Sequence, residues 1–342
     1  MKIIVDAMGG DHAPSQIVEG AIAAAEEGIE VILVGRGEKI LECLQAKKIY
    51  TLPRGIEIAN AEDVVTMEDE PTAVLRTRKN SSMVLGLQML AAGQGDALVS
   101  AGSTGALLTA ATLLVKRLPG IRRAALSPQI PSKNGTTLLV DCGANAECTP
   151  EFLQQFALMG SCYAERIMGR KEPKVGLLSN GTEATKGTSL VKQTHALLQQ
   201  AADCGQIHFV GNIEARDALE GTVDVVVTDG FTGNVLLKSI EGTGMFFAGE
   251  MKKMFKRSML SKLGALCCRR GIGEIKKMMD YRETGGTMFI GLTKPVVKAH
   301  GSSDALAIRN AIRQAVKCVD SNVTGAIAES MQHKEEGEKN GI

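Results

Sequence analysis

The 342-residue sequence contains 44% hydrophobic and 23% charged residues, the balance expected of one large globular domain or two lobes. A formal net charge of +1, with eight Phe, three Tyr and no Trp, argues against a nucleic-acid surface. The eight cysteines include no CxxC pair, and the sequence has neither a signal peptide nor a run of about 18 apolar residues, so a cytoplasmic protein with reduced thiols is predicted.

Strand-like and helix-like segments alternate from the first residues onward. The predicted strands cover residues 3–5, 31–34, 97–99, 138–140, 175–178, 223–228, 287–292 and 296–297. The predicted helices cover residues 17–27, 38–46, 74–92, 107–114, 151–166, 189–201 and 304–319. Such alternation predicts βαβ units and an α/β fold with a mainly parallel sheet. We expect a single catalytic domain over residues 1–330.

Six polar, glycine-rich loops follow short apolar runs, and helix-like segments usually follow the loops. They cover residues 6–12, 100–105, 141–145, 180–187, 229–234 and 300–304. Loops at the carboxyl ends of strands in open α/β sheets line the ligand crevice. Glycines allow backbone N–H groups to approach an anion, which a helix N-terminus also favours. The six loops together predict a large anion-binding cleft.

Seven sequence blocks occur in a recognisable order: VDAMGGDHAP, NSSMVLG, SAGSTGAL, DCGAN, GTEATKG, VVVTDGFTGNVLLK and KAHGSSD. Together they closely resemble the bacterial phosphate acyltransferases of phospholipid synthesis, from residue 1 to about 320. The resemblance implies a homodimer with a three-layer α/β/α fold like the isocitrate and isopropylmalate dehydrogenases and the phosphotransacetylases. It also implies transfer of a long acyl chain from acyl carrier protein to inorganic phosphate. A membrane glycerol-3-phosphate acyltransferase would then use the acyl phosphate.

This reaction needs no nucleophile from the enzyme, because phosphate itself attacks the thioester carbonyl. The enzyme must hold the dianion and stabilise the tetrahedral oxyanion. Lys186 is the first candidate, because an ammonium can bind either the phosphate or the developing oxyanion. Asn234 is the second candidate, because its amide can donate a hydrogen bond without carrying a charge. Glu183 is a candidate to orient Lys186, whereas Asn234 also fits an N-cap. No His/Cys cluster is present, so neither a metal nor a cofactor is expected.

The remaining candidates for binding substrate or phosphate lie in the same six loops. The Gly102–Gly105 segment also fits an ordinary strand-to-helix turn, and Asp141 also fits a turn former. His12 and His300 also fit structural histidines, and Asp304 is predicted to be a helix N-cap. The candidates are Gly9, Gly10, Asp11, His12, Gly102, Ser103, Thr104, Gly105, Asp141, Gly143, Asn145, Gly181, Thr182, Glu183, Asp229, Gly230, Thr232, Gly233, His300, Gly301 and Ser302.

A helical excursion from the α/β body is predicted over residues 242–285, where the strand pattern stops. Residues 251–270 contain no acidic residue, and Met251, Met254, Phe255 and Met259 share one face by helical spacing. Such a basic amphipathic segment is typical of contact with an anionic membrane, yet it also fits a dimer interface or acyl carrier protein. We expect the tip, broken at Gly264, to contact the inner face of the membrane. The contact candidates are Met254, Phe255, Lys256, Arg257, Leu260, Leu263 and Leu266.

Three alternatives compete with a long-chain phosphate acyltransferase. A short-chain phosphotransacetylase would share the fold and use acyl-CoA. A dehydrogenase of the isopropylmalate type would need a nicotinamide site and a metal-binding Asp cluster, which the sequence lacks. A non-catalytic protein that binds acyl chains would tolerate the loss of Lys186 or Asn234. The polar tail, residues 331–342, is predicted to be disordered.

Overall fold

The computed structural model of the protein describes residues 1–278 and 280–339. The strands are β1 (Lys2–Asp6), β2 (Glu30–Gly35), β3 (Ile56–Asn60), β4 (Ala97–Ser100), β5 (Ala125–Leu126), β6 (Gln129–Ser132), β7 (Gly135–Val140), β8 (Lys174–Leu178), β9 (His208–Ile213), β10 (Val225–Val227), β11 (Gly286–Ile290) and β12 (Val296–Ala299). The helices are α1 (Ser15–Glu26), α2 (Gly37–Ala46), α3 (Val74–Thr77), α4 (Ser82–Ala91), α5 (Thr104–Leu114), α6 (Pro150–Arg166), α7 (Ser189–Asp203), α8 (Ala215–Glu220), α9 (Gly230–Lys256), α10 (Met259–Cys267), α11 (Arg269–Met278), α12 (Tyr281–Thr284), α13 (Ala305–Asp320) and α14 (Val323–Lys339).

Within the described residues, the first sheet has seven strands in the order β3-β2-β1-β4-β12-β11-β5. The strands from β3 to β12 are parallel, and β11 is antiparallel to both of its neighbours. Nearly every residue of β1, β2 and β4 is buried, as expected for parallel strands covered on both faces. The carboxyl ends of β1, β4 and β12 therefore lie side by side.

The described residues also form a second sheet, with five strands in the order β6-β7-β10-β8-β9. In this sheet only β6 is antiparallel to its neighbour. The two sheets meet where the N–H of Cys142 donates to the carbonyl oxygen of Leu126 at 3.1 Å. One apolar cluster also joins Ile290 of the first sheet to Val140 of the second. Helices pack on both faces, which confirms the predicted α/β class with mainly parallel strands.

The helix predicted over residues 74–92 is wrong, because the structure breaks it into α3 and α4. The Ser81 hydroxyl accepts a hydrogen bond from the N–H of Val84 and so caps a new helix. Between the two helices, the Arg78 guanidinium pairs with Asp63 at 3.1 Å and Asp69 at 3.0 Å. The break coincides with an uninterrupted polar run over residues 76–82, which separates the apolar residues of α3 from those of α4.

The carboxyl-terminal segment also differs from the prediction. Helix α13 is followed by α14, whose Val323, Ile327 and Met331 pack in the core that joins the sheets. Helix α14 extends to Lys339, so residues 331–339 of the predicted tail are helical, and residues 340–342 lie outside the described part.

Helices α9 to α12 form an arm between β10 and β11. The arm packs on the body at both ends: Leu236, Leu237 and Ile240 of α9 join an apolar cluster with the second sheet. At the other end, Arg282 of α12 pairs with Asp304 at 2.9 Å. A Cβ added at Gly242 or Gly249 would meet no heavy atom within 4 Å, so these two positions of α9 face open space. None of the described helices combines the length and the apolar character that crossing a bilayer requires.

Candidate active site

Three of the glycine-rich loops meet at the carboxyl edge of the first sheet, after β1, β4 and β12. The N–H of Asp11 donates to the carbonyl oxygen of Gly301 at 2.8 Å. A Cβ on Gly9 would lie 2.7 Å from the backbone nitrogen of Gly102, and one on Gly10 would lie 2.9 Å from the Cβ of Ala101. Because side chains would clash at these positions, glycine lets the three loops pack backbone to backbone.

A buried carboxylate supports these loops from below. Asp6 accepts hydrogen bonds from the hydroxyls of Ser82 at 2.6 Å and Ser100 at 2.7 Å. The N–H of Met8 donates to it at 3.2 Å, and the N–H of Gly102 donates to the Ser100 hydroxyl at 3.1 Å. Burial raises the pKa of Asp6, while its donors oppose the rise. Asp6 thereby fixes the first two loops to each other.

The Ser103–Thr104 turn opens α5 beside these loops. Ser103 is the N-cap residue of α5, but its side chain makes no capping hydrogen bond. Gly102 is buried, Ser103 and Thr104 are half-buried, and Gly105 is exposed. The first N–H groups of α5 are thus left without a side-chain cap from Ser103, an arrangement that suits an anion.

Two loops of the second sheet form a second group, in which Asp141 organises the backbone. Its carboxylate accepts from the N–H groups of Leu126 at 2.8 Å, Cys142 at 2.7 Å and Asn145 at 2.6 Å, and from the Asn145 side chain at 3.1 Å. Burial raises its pKa. With its oxygens used in this way, Asp141 acts as the turn former that the sequence allowed.

The first turn of α9 sits directly on this loop. A Cβ on Gly233 would lie 2.0 Å from the carbonyl oxygen of Asp141, so only glycine fits there. Asp229 is the N-cap, since its carboxylate accepts from the N–H of Thr232 at 2.9 Å. The prediction of a loop over residues 229–234 is therefore wrong beyond Asp229, because α9 begins at Gly230. The alternative that Asn234 caps the helix is also wrong. Asn234 lies exposed in the first turns of α9, facing Gly143.

Lys186 lies on the loop after β8, which neighbours β10 in the second sheet. The side chain is exposed, and its stem passes Gly181, where an added Cβ would lie 3.0 Å from the Lys186 Cγ. Asn212 holds the loop by donating to the carbonyl oxygen of Glu183 at 2.8 Å. Within the described part of the chain, Glu183 and Lys186 form no ion pair. Lys186 and Asn234 thus follow adjacent parallel strands.

Sequence reasoning did not single out Lys238 and Lys298, which bring charge to the space between the two sheets. Lys238 lies on α9, one turn beyond Asn234, and its charge lowers the pKa values of Lys298 and His300. Partial desolvation of the ring is the largest cause of the lowered His300 pKa, which favours the neutral imidazole. One signal was readable: Lys298 interrupts the apolar run Val296-Val297-Lys298-Ala299.

Asp304 is the N-cap of α13, as predicted, because its carboxylate accepts from the N–H of Ala307 at 3.0 Å. His300 is exposed and its Nδ1 lies 2.9 Å from the Ser302 hydroxyl, whereas His12 is exposed on the first loop. Among residues 1–278 and 280–339, no group of three His, Cys, Asp or Glu side chains is placed to hold a metal ion.

The arm exposes large apolar side chains. Met254, Leu260, Leu263 and Leu266 are 53–80% exposed, and Phe255 is half-buried. The predicted break at Gly264 is wrong, because α9 ends at Lys256 and the Ser258 hydroxyl caps α10 by accepting from the N–H of Ser261. Lys256 and Arg257 are exposed at this bend.

Comparisons with known proteins agree with the resemblance. A family model described as "Fatty acid synthesis protein" matches residues 1–326. A phosphate acyltransferase from Bacillus licheniformis is 46% identical over 337 residues, covering 98% of this chain and 99% of the relative.

Solved structures show the same fold at low sequence identity. A phosphotransacetylase from Streptococcus pyogenes superimposes with a TM-score of 0.61 at 18% identity, covering 97% of this chain and 94% of that one. A branched-chain phosphotransacylase from Enterococcus faecalis gives a TM-score of 0.55 at 17% identity, covering 93% and 99%. The 46% identity to the Bacillus protein over nearly the whole chain, together with the family model that matches residues 1–326, places the chain in the phosphate acyltransferase family.

Proposed function

We propose that this protein transfers a long-chain fatty acyl group from acyl carrier protein to inorganic phosphate. The product is an acyl phosphate for phosphatidic acid synthesis. The observation that carries the proposal is the 46% identity, over 98% of the chain, to a phosphate acyltransferase. The two facing groups of glycine-rich loops supply the backbone donors that such a reaction needs.

In this mechanism one phosphate oxygen attacks the thioester carbonyl carbon. The carbon–sulfur bond breaks as the tetrahedral intermediate collapses, and the thiolate leaves and takes up a proton. Lys186 offsets the developing negative charge, and the Asn234 amide donates to the carbonyl oxygen. The loops after β1, β4 and β12 hold the phosphate. The reaction is reversible, since an acyl phosphate can in turn acylate the thiol.

The test is product formation from palmitoyl-acyl carrier protein and radiolabelled phosphate, with palmitoyl-CoA and acetyl-CoA run alongside. Loss of one oxyanion donor lowers kcat by about 10²–10³-fold in comparable sites, and we expect Asn234→Ala to fall in that range. The kcat of Lys186→Ala should fall by a similar factor. Lys192→Ala is the matched control, because Lys192 is an exposed lysine on α7, just after the same loop.

Each outcome of this assay separates the alternatives. Acyl phosphate from the carrier-protein substrate, lost in both variants and kept in the control, would support the proposal. Activity with acetyl-CoA alone would identify a short-chain phosphotransacetylase. If the folded protein acts on none of the donors, the proposed enzymatic activity is refuted and a role in binding acyl chains is favoured.

We further propose that the protein is a homodimer whose arm brings the tip of α9 and α10 to the inner face of the cell membrane. The support is an exposed apolar surface in a segment that carries lysine and arginine but no acidic residue between residues 251 and 270. An amphiphilic product made there would lie close to a membrane-bound acyltransferase. Light scattering tests the dimer.

Flotation with vesicles containing anionic lipid tests the membrane contact. Binding should fall in Leu260→Glu and Leu263→Glu, which place charge on exposed tip positions. Leu41→Glu is the control, since Leu41 is 47% exposed on α2, away from the arm. If the tip variants float like the wild type, or if acyl carrier protein rather than lipid binds the arm, this proposal is wrong.

A further inference from the structure

Lys298 is a charged residue at the carboxyl end of β12, whose other three residues are buried. Its half-buried ammonium donates to the carbonyl oxygen of Ala101 at 3.5 Å and to that of Ala299. The first carbonyl lies where the chain leaves β4, and the second lies where it leaves β12. The ammonium is therefore held at the base of the loops over residues 100–105 and 300–304.

The charges around Lys298 leave it without a close counterion. Asp6 and Asp11 favour its charged form from a distance, but no carboxylate of the described residues pairs with it within 4.0 Å. The oxygens of Asp6 already accept from Ser82 and Ser100. Lys238, on α9, adds a second positive charge from the other sheet. Burial, the largest cause, lowers the pKa of Lys298 to about 8.

A half-buried cation without a paired carboxylate is costly to a fold, and an anionic ligand would offset that cost. The position agrees, because the loops that open above Lys298 are those expected to hold an anion. Lys238 lies on the opposite side of the same space. Its own ion pair with Glu241, at 2.7 Å, is only partly buried, and such pairs contribute little stability that an anionic ligand would have to replace.

We propose that Lys298 binds the attacking phosphate at the base of the cleft, with Lys238 approaching the same anion from the second sheet. The inference rests on the proposed function, and it assigns the phosphate to the first sheet and the acyl group to Lys186 and Asn234 on the second. The nucleophile and its target thus come from opposite sides of the cleft. A lysine binds phosphate as a point charge, which suits an anion that must turn toward the thioester.

The experiment measures the KM for phosphate and the kcat at saturating acyl donor, between pH 6.5 and 9.5. Lys298→Met removes the charge at nearly constant length and should raise the KM for phosphate about 10- to 100-fold, the range of a lost charged hydrogen bond. In the wild type the KM should rise above pH 8, as Lys298 loses its proton. Lys298→Arg stays protonated, so its KM should not rise there.

Lys294→Met is the matched control. Lys294 is also half-buried and its ammonium also donates to a backbone carbonyl, that of Gly95, at 3.5 Å. It precedes β12 and so lies at the opposite edge of the sheet from the loops. Its removal should leave the KM for phosphate and the pH profile unchanged.

Calorimetry with inorganic phosphate alone separates this inference from the reaction. If the wild type makes no acyl phosphate, the proposed function fails, and weaker phosphate binding by Lys298→Met than by Lys294→Met would still support the inference. A folded Lys298→Met with wild-type phosphate affinity and KM overturns it. If Lys298→Met does not fold, Lys298→Arg decides, because a KM that still rises above pH 8 also overturns it.

Discussion

Replacing Ser100 by alanine tests whether the buried Asp6 holds the first two loops together. The change removes a hydroxyl that donates to Asp6 at 2.7 Å and accepts from the N–H of Gly102 at 3.1 Å. A hydrogen bond to a charged group contributes about 1.5–3 kcal/mol and a neutral one about 1 kcal/mol. We therefore expect the free energy of unfolding to fall by about 2–4 kcal/mol at a pH above the folded pKa of Asp6, where the carboxylate is ionised.

The pH dependence of this loss gives a second readout. The folded pKa of Asp6 is already raised above its unfolded value, so the stability tied to this carboxyl is greatest in acid and is lost as the pH rises through the folded pKa. Ser100→Ala raises that pKa further. Its deficit should therefore be largest above the pKa and should shrink as the pH falls and Asp6 is protonated in both proteins.

Urea unfolding of the wild type, Ser100→Ala and Ser103→Ala provides the measurement. Ser103 lies on the same loop but makes no capping hydrogen bond, so its loss should cost less than about 0.5 kcal/mol. A Ser100→Ala protein as stable as Ser103→Ala, or a deficit that is constant with pH, would refute the role given to Asp6.

Two further predictions concern backbone crowding and thiol reactivity. Gly285→Ala places a Cβ 2.3 Å from the backbone of Asn310 at a φ of +78°, and should destabilise by about 3 kcal/mol or more. Gly93→Ala has nearly the same φ in open space, so urea unfolding should show a loss of only about 1–2 kcal/mol; equal losses would contradict the clash. A thiol reagent at pH 8 should react first with the exposed cysteines, and rapid reaction of the others would contradict the burial found. The exposed cysteines are Cys204, Cys267 and Cys268, and burial raises the pKa to about 12 at Cys142, Cys148 and Cys318.

Much of the fold could be predicted because parallel strands buried on both faces are continuous apolar runs. The strands β1, β4 and β7 and their loops could be predicted in this way. Boundaries set by a single side chain could not be predicted at Asp229 and Ser258, which begin helices by capping although apolar residues continue past them. The boundary at Ser81 was readable, because polar residues occupy positions 76–82. Helix α14 was missed although Val323, Ile327 and Met331 recur at helical spacing, because only these three large apolar residues define its buried face.

The loops that form the site could be predicted from the sequence, but which loops lie next to one another could not. Glycine patterns identify where backbones approach, yet they do not say which strands are neighbours. Only the strand order places β12 beside β4 and thereby brings Lys298 under the Gly102 loop. The repulsion between Lys238 on α9 and Lys298 on β12 likewise arises only from the tertiary structure, because the two residues are far apart in the sequence.

The strand order also has a consequence for the making of the protein. Val296 of β12 pairs with Leu98 of β4, so the strand that covers β4 is synthesised long after β4 itself. At about 5–20 residues per second, the ribosome needs roughly 10–40 s to add the intervening chain of about 200 residues. During that interval β4 is an open sheet edge, which is a template for wrong pairing. The nascent chain is therefore most vulnerable to aggregation between the emergence of the first sheet and that of its last strands.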